Sequence, residues 1–158
     1  MITELYNALT EAIRSIGIGQ DPRFPEEGII KHIDLWNQNV VFIDQDDPWD
    51  RPAVFIEFGE IVWEPYKGPA IGLTGKGEIL LHIVTDWKGS AAAGRCTREE
   101  TLADYDLSMQ IHSALRGLRG TGFRNLCLSR TMINHNHQEL LENIEVYRVT
   151  YERREAEQ

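Results

Sequence analysis

The sequence predicts an α+β domain in which a four-stranded, largely antiparallel sheet carries two helices packed on one face. Three observations favour this class. Two segments repeat apolar residues at helical spacing, four others are rich in β-branched and aromatic residues, and no regular strand–helix alternation indicates a doubly wound parallel sheet. The 158 residues have the size of one domain. We expect residues 1–152 to form it and residues 153–158 to be a charged tail.

The first helix is predicted over residues 3–15, where apolar residues recur on one face and Thr3 is a candidate N-cap. Gly17 and Gly19 should end it, because glycine is common just after a helix. Residues 29–43 are apolar without a clean period. They predict either a short helix or a short strand.

Two strands are predicted next, over residues 52–63 and 77–87, which are rich in β-branched and aromatic side chains. In the second strand apolar residues alternate with polar ones such as His82, which predicts one buried face and one largely wet face. The connection, residues 64–76, is rich in glycine and proline and too long for a tight turn. We expect it to be a projecting, mobile loop.

A long second helix is predicted over residues 99–118, because Thr97 begins a capping-box sequence and apolar residues follow it. Its apolar set, which includes Met109, is wide enough to be buried on more than one side. Residues 123–133 and 143–152 predict two closing strands. Both helices should lie on the same face of the sheet, since each has an apolar stripe to bury.

The net charge of the chain argues against two functional classes. The chain has 16 basic and 25 acidic side chains, a net charge of −9, which argues against a protein that coats nucleic acid or anionic membrane. No apolar run approaches the ~20 residues that span a bilayer, and the N-terminus does not resemble a signal peptide. We therefore expect an intracellular protein with no membrane contact. Cys96 and Cys127 lack metal-ligand spacing and are expected to be free thiols.

No catalytic, cofactor or metal site is predicted, so we expect a protein that is not an enzyme. The acidic residues 44–50 lack the glycine that a calcium loop needs at its sixth position, and no phosphate-binding or nucleophile-elbow motif occurs. The glycine-rich residues 117–122 follow a helix and are interpreted as its stop. His135 and His137 could share one face of a strand, which leaves a small metal-dependent enzyme as an alternative of a different class.

Charge is unevenly distributed along the chain. Residues 1–79 contain 6 basic and 14 acidic side chains, whereas residues 80–158 contain 10 and 11. This distribution is compatible with ordinary solvation of the surface. The other interpretation is a heterologous contact, in which an acidic edge of one copy meets an arginine-bearing edge of the next.

The order of these segments resembles the tail terminators, which are tail-completion proteins of long-tailed bacteriophages and prophages. The resemblance lies in the first helix, the strand PAVFIEF at 52–58, the Gly/Pro connection, the strand GEILLHIV at 77–84, the helix end IHSALRGL at 111–118 and the last strand NIEVYRVTY at 143–151. It covers most of the chain.

The resemblance implies a structural α+β subunit that forms a homohexameric ring, caps the tail tube, stops its polymerisation and offers a docking face to the head connector protein. The expected partners are further copies of the chain, the tail tube protein and the head connector, without sequence-specific nucleic acid binding. The protein would then occur in the cytoplasm of the bacterial host during assembly and later in the virion. A head-to-tail connector or neck protein is the alternative within phage assembly.

The candidate residues for contacts with neighbouring subunits or with the tube share charge or exposed apolar character beside glycine and proline breaks. They are Asp44, Asp46, Asp47, Asp50, Tyr66, Lys67, Ile71, Leu73, Lys76, Arg116, Arg119 and Arg124.

Overall fold

The fold consists of two helices and a five-stranded sheet in the described part of the chain. A computed structural model describes residues 1–38, 49–66, 72–90, 92–94, 98–134 and 138–153. The elements in chain order are α1 (Ile2–Arg14), β1 (His32–Leu35), β2 (Ala53–Pro65), β3 (Leu73–Asp86), α2 (Arg98–Leu115), β4 (Phe123–Asn134) and β5 (Leu140–Arg153). The predicted α+β class is confirmed.

The sheet is mixed and has the strand order β1-β2-β3-β5-β4. β1 is parallel to β2, and the other neighbours are antiparallel. The prediction of four strands was therefore wrong by one. The additional strand, β1, lies inside residues 29–43. It has only four residues, which are too few to show an alternation of apolar and polar side chains.

The connection between β2 and β3 is shorter than predicted. Pro65 pairs with Leu73, so residues 64, 65 and 73–76 belong to strands, and only residues 66–72 connect them. A Cβ on Gly75 would come within 2.7 Å of the Ile61 side chain and 2.9 Å of the Trp63 ring. Large side chains of the neighbouring strand fill the space that a side chain at position 75 would need. Gly75 is therefore a strand residue and does not mark a loop. Residues 67–71 lie outside the described part.

Both helices pack on the same face of the sheet, as predicted. Leu5 and Leu9 of α1 and Ile111 of α2 belong to one core cluster with alternate residues of β2, β3 and β5. The sheet residues of this core are Val54, Ile56, Ile79, Leu81, Ile83, Tyr147, Val149 and Tyr151, together with Phe123 at the start of β4. Burial of this apolar stripe is the main term that stabilises the two helices.

The opposite face of the sheet is partly covered by a second, smaller cluster. Ala53 and Phe55 of β2 point away from the helices and pack with Trp49, Val84 and Leu140. Trp36 packs against the same group. The alternation in β3 predicted that this face is exposed to solvent, but it is buried at one end of the sheet. His82 on this face is only 4% exposed.

The helix ends differ slightly from the predictions. The N-cap of α1 is Met1 rather than Thr3, and it makes no capping hydrogen bond with its side chain. Gly17 follows this helix at φ +77° and another Gly, Gly117, follows α2 at the same angle, a conformation that favours glycine and ends each helix. Arg153 is still part of β5, so only residues 154–158 of the predicted tail remain, and these lie outside the described part. Among the described residues no helix is long and apolar enough to cross a membrane.

The pairing register defines two ends of the sheet. Ala53 lies opposite Val84, and Pro65 lies opposite Leu73. The start of β5 adjoins the first of these ends, and its last residue adjoins the second. We call them the Ala53 end and the Pro65 end. They are about 40 Å apart, since twelve steps along a strand cover roughly 3.3 Å each.

Candidate functional site

A broad cleft lies at the Pro65 end, between the end of α2, residues 116–122 and the start of β4. Its volume is about 1480 Å³. Four of its lining residues are Arg116, Arg119, Arg124 and Arg153. We call it the arginine cleft. The structure therefore brings together the three arginines that the sequence predicted as contact residues.

The arginines of this cleft differ in how they are paired. Arg124 Nε lies 2.9 Å from an oxygen of Glu152 on the neighbouring strand. Arg116, Arg119 and Arg153 are exposed and form no ion pair with any acidic side chain in the described ranges. The cleft thus presents more positive charge than its own carboxylates neutralise.

The wall of the arginine cleft already holds one carboxylate. Glu4 of α1 accepts hydrogen bonds from the Thr121 N–H at 2.7 Å, the Thr121 hydroxyl at 2.9 Å and the Gly122 N–H at 3.0 Å. The hydrogen bonds from Thr121, with a further one from Gly122, hold the pKa of Glu4 below its ordinary value. A Cβ on Gly120 would collide with this carboxylate, and one on Gly122 would come within 2.9 Å of it. The glycines after Gly117 therefore allow the approach of Glu4, a role that their interpretation as a helix stop missed.

The base of the arginine cleft contains a paired histidine and tyrosine. His112 Nδ1 lies 3.3 Å from the Tyr147 hydroxyl, and both residues line the cleft. Burial raises the pKa of Tyr147 well above its usual range. This tyrosine stays neutral at physiological pH and adds no negative charge to the cleft.

Two further predicted contact residues adjoin the arginine cleft. Tyr66 and Leu73 line a smaller cavity of about 140 Å³, whose wall also includes Arg124 and Arg153. Five of the predicted residues therefore lie together at the Pro65 end. Lys76 is also exposed in this half of the sheet, with Nζ 3.8 Å from Glu64.

Asp50 lies at the other end of the molecule, three residues before β2 begins, and is exposed. The basic residue beside it, Arg51, is paired with Asp86. Asp50 is therefore separated from the arginine cleft by the length of the sheet. The predicted residues Asp44, Asp46, Asp47, Lys67 and Ile71, and the pair His135 and His137, lie outside the described part.

Exposed apolar side chains occur at both ends of the sheet. Val62 and Tyr66 lie at the Pro65 end, whereas Trp87, Met132 and Ile133 lie at the Ala53 end. The sequence did not single out Val62, Trp87, Met132 or Ile133 as contact residues, because apolar residues in predicted strands are expected to be buried.

The expectation that the apolar residues of the second helix are buried on more than one side was wrong. Met109 is 60% exposed, and Leu102 is also exposed. The reason is that the apolar contact of α2 with the sheet is made by Leu107, Ile111 and Leu115 on one side of the helix, which leaves Met109 and Leu102 to solvent.

A buried polar cluster lies on the sheet face opposite the helices. His82 Nδ1 lies 2.7 Å from Glu142, and His82 Nε2 lies 2.8 Å from Glu57. The Trp36 ring stacks on the imidazole at 3.8 Å between centroids, and Asn134 donates to Glu142 at 2.6 Å. Carboxylates only accept hydrogen bonds, so both contacts of His82 are satisfied only when an additional proton resides on the ring or on one carboxyl group.

No sequence signal reveals this polar cluster, because its members come from distant parts of the chain that meet only through the ladder register. Its two carboxylates face opposite nitrogens of one ring and so cannot bind one metal ion together. Among the described residues, no group of three or more His, Cys, Asp or Glu side chains is placed to hold a metal ion.

Comparison of the sequence with models of known protein families finds no match, and comparison with curated proteins finds no similar one.

Proposed function

We propose that the chain is a structural subunit of a bacteriophage or prophage tail terminator. In this role several copies, six by the resemblance, form a ring on the end of the tail tube, stop its polymerisation and provide the docking face for the head. The subunits would assemble in the cytoplasm of the bacterial host and remain in the virion. The proposal combines the resemblance in segment order with one feature of the structure.

The observation that carries the proposal is that the two ends of the sheet present different exposed apolar side chains. Val62 is 57% exposed at the Pro65 end, and Trp87 is 46% exposed at the Ala53 end, where Met132 and Ile133 are also exposed. Aromatic side chains such as the exposed Tyr66 and Trp87 are enriched in protein–protein interfaces. Two different surfaces at opposite ends suit a head-to-tail contact, which closes into a ring when the rotation between copies permits it.

The fold also supports a role in assembly. β2 and β3 form a long hairpin that ends in the connection 66–72, and Tyr66 at its end is exposed. In a ring whose subunits join end to end, this end would contribute to the subunit contact or to the contact with the tube. These are the two roles predicted for Tyr66, Lys67, Ile71, Leu73 and Lys76.

Sedimentation velocity with negative-stain imaging of the purified chain tests the proposal. We expect a ring with a central hole. Trp87→Ser and Val62→Ser should each weaken assembly about ten-fold or more, because each removes a side chain whose burial is worth roughly 1.5–3 kcal/mol.

The matched control is Met109→Ser, which removes an equally exposed apolar side chain from α2, away from the two ends of the sheet. It should assemble as the wild type does. A wild-type chain that remains a monomer at all concentrations, with or without the tail tube protein, would exclude the terminator function.

A further inference from the structure

The arginine cleft has the features of a site for carboxylates. Its wall binds the Glu4 carboxylate through two backbone N–H groups and one hydroxyl, and the Cβ-free positions 120 and 122 make room for that carboxylate. Arg116, Arg119 and Arg153 stand beside it without an ion pair among the described residues. Guanidinium groups match carboxylates in a two-point geometry, and the pairing is stronger than that of neutral hydrogen bonds.

The size of the cleft indicates a chain segment rather than a small anion. Pockets for small molecules usually enclose about 300–1,000 Å³, whereas this cleft encloses about 1480 Å³. Three arginines that form no ion pair with the described residues also exceed what one carboxylate would neutralise. The expected ligand is a peptide segment that carries several carboxylates.

The chain itself contains such a segment. Residues 44–50 carry four aspartates and no basic residue. Asp50 is exposed at the Ala53 end, and the buried ring of Trp49 fixes the chain there by packing against Phe55. The length of the sheet separates Asp50 from the arginine cleft of its own copy, so Asp50 can reach such a cleft only in another copy.

We propose that the arginine cleft of one copy binds the acidic segment 44–50 of the neighbouring copy. This inference rests on the proposed function and deepens it, because it names the partner segment of the head-to-tail contact. The apolar groups at the two ends supply most of the affinity, and the charges set which end meets which. Exposed ion pairs contribute only about 0.2–1 kcal/mol each, but they accelerate and orient encounters.

Binding of a labelled peptide tests the inference. The probe is a synthetic peptide of residues 42–52 with both termini blocked, and its fluorescence anisotropy is measured against the full chain. We expect binding that weakens as salt rises. Arg116→Glu with Arg119→Glu should weaken it about ten-fold, since two attractive contacts become repulsive. The double variant Lys88→Glu with Arg98→Glu makes the same charge change at exposed positions outside the cleft and should bind as the wild type does.

Two results would overturn the inference. One is a peptide with all four aspartates changed to asparagine that binds as tightly as the acidic one. The other is a cleft variant that binds the acidic peptide as the wild type does. Tighter binding of a single-stranded oligonucleotide, lost in the same variant, would assign the cleft to phosphates and would also contradict the inference.

The oligomeric state separates this inference from the proposed function. A ring that persists in the cleft variant, together with absent peptide binding, refutes the inference and leaves the terminator function standing. A wild-type chain that never assembles refutes both.

Discussion

Glu142 is the residue on which the buried polar cluster depends. It is 2% exposed; one of its oxygens accepts from Asn134 at 2.6 Å, and the other lies 2.7 Å from His82 Nδ1. Trp36 closes this site by stacking on the imidazole. A carboxylate is suited to the position because it offers two acceptors and no donor.

We predict that Glu142→Leu lowers the free energy of unfolding by about 1–3 kcal/mol, because the Asn134 amide and His82 Nδ1 both lose a buried hydrogen-bond partner. Urea unfolding monitored by tryptophan fluorescence measures the loss. Glu139→Leu, at an exposed position nearby, is the matched control and should change stability by less than about 0.5 kcal/mol. Equal stability of the two variants would contradict the described hydrogen bonds.

Glu4 gives a prediction about acid stability. The hydrogen bonds from Thr121 lower its pKa in the folded state, so its carboxylate stabilises the fold above the unfolded pKa, which is about 4.3 for a free glutamate. This contribution is lost as pH falls through the lowered native pKa. Glu4→Gln should therefore have a lower thermal midpoint than the wild type at pH 7, and the gap should close below about pH 4.

Scanning calorimetry between pH 7 and pH 3 checks the expectation for Glu4. The control is Glu11→Gln on the same helix, whose side chain forms no hydrogen bond with the described residues. A gap for Glu4→Gln that stays constant across this pH range would show that its carboxylate charge does not stabilise the contact with Thr121.

At the scale of the elements, Gly75 in the β2–β3 hairpin allows two large side chains of β2 to pack over β3. Gly75 pairs with Trp63 on one side and Tyr151 on the other. The side chains of Ile61 and Trp63 fill the space above it. We predict that Gly75→Ala destabilises the fold by about 1–3 kcal/mol, because an added methyl overfills a packed site.

Chemical denaturation of Gly75→Ala beside Lys76→Ala measures this effect. Lys76 is the next residue of the same strand and its side chain is exposed, so its replacement should be nearly neutral. Unchanged stability for Gly75→Ala would mean that the Ile61 and Trp63 side chains shift at little cost to accommodate the added methyl group, and would contradict the prediction.

The elements also show which parts of the fold could be predicted from the sequence. Helix α1 follows from its one apolar stripe, and β2 and β3 follow from their content of β-branched and aromatic residues. β1 is too short for such a pattern. The extent of β3 was underestimated because Gly75 is a loop signal locally and a strand residue only beside β2 and β5.

The candidate site was predictable only in part. Arg116, Arg119 and Arg124 follow from composition beside glycine breaks, and the structure brings them together in one cleft. The carboxylate of Glu4 in its wall comes from more than a hundred residues away, so no local pattern reveals it. The same holds for the cluster around His82, whose members become neighbours only through strand register.

At the scale of the whole molecule, charged residues and exposed apolar residues occur together at each of the two ends of the sheet. The Pro65 end has the arginine cleft beside Val62 and Tyr66, and the Ala53 end has Asp50 beside Trp87. Because each copy has a net charge of −9, two copies repel each other unless opposite charges meet at their contact. A cationic cleft at one end favours the head-to-tail contact over contacts between two like ends.

The last prediction uses two complementary charge variants of the full chain. One is Arg116→Glu with Arg119→Glu, which reverses the cleft, and the other is Asp46→Lys with Asp47→Lys, which reverses the acidic segment. Each variant alone should assemble about ten-fold more weakly than the wild type, because one side of every contact then repels the other. The free energy of unfolding should change little, since exposed charges contribute little to it.

An equal mixture of the two variants should restore assembly, because each contact then joins a native acidic segment to a native cleft or a reversed segment to a reversed cleft. The ring would alternate between the two variants. Sedimentation velocity at low and high salt measures the restoration, which should decline as salt rises because exposed pairs are screened. Like-charge contacts can also be relieved by salt, so each variant alone should move toward the wild type under the same conditions. A mixture no more assembled than its components would show that the two charged groups do not meet, whatever other surface joins the copies.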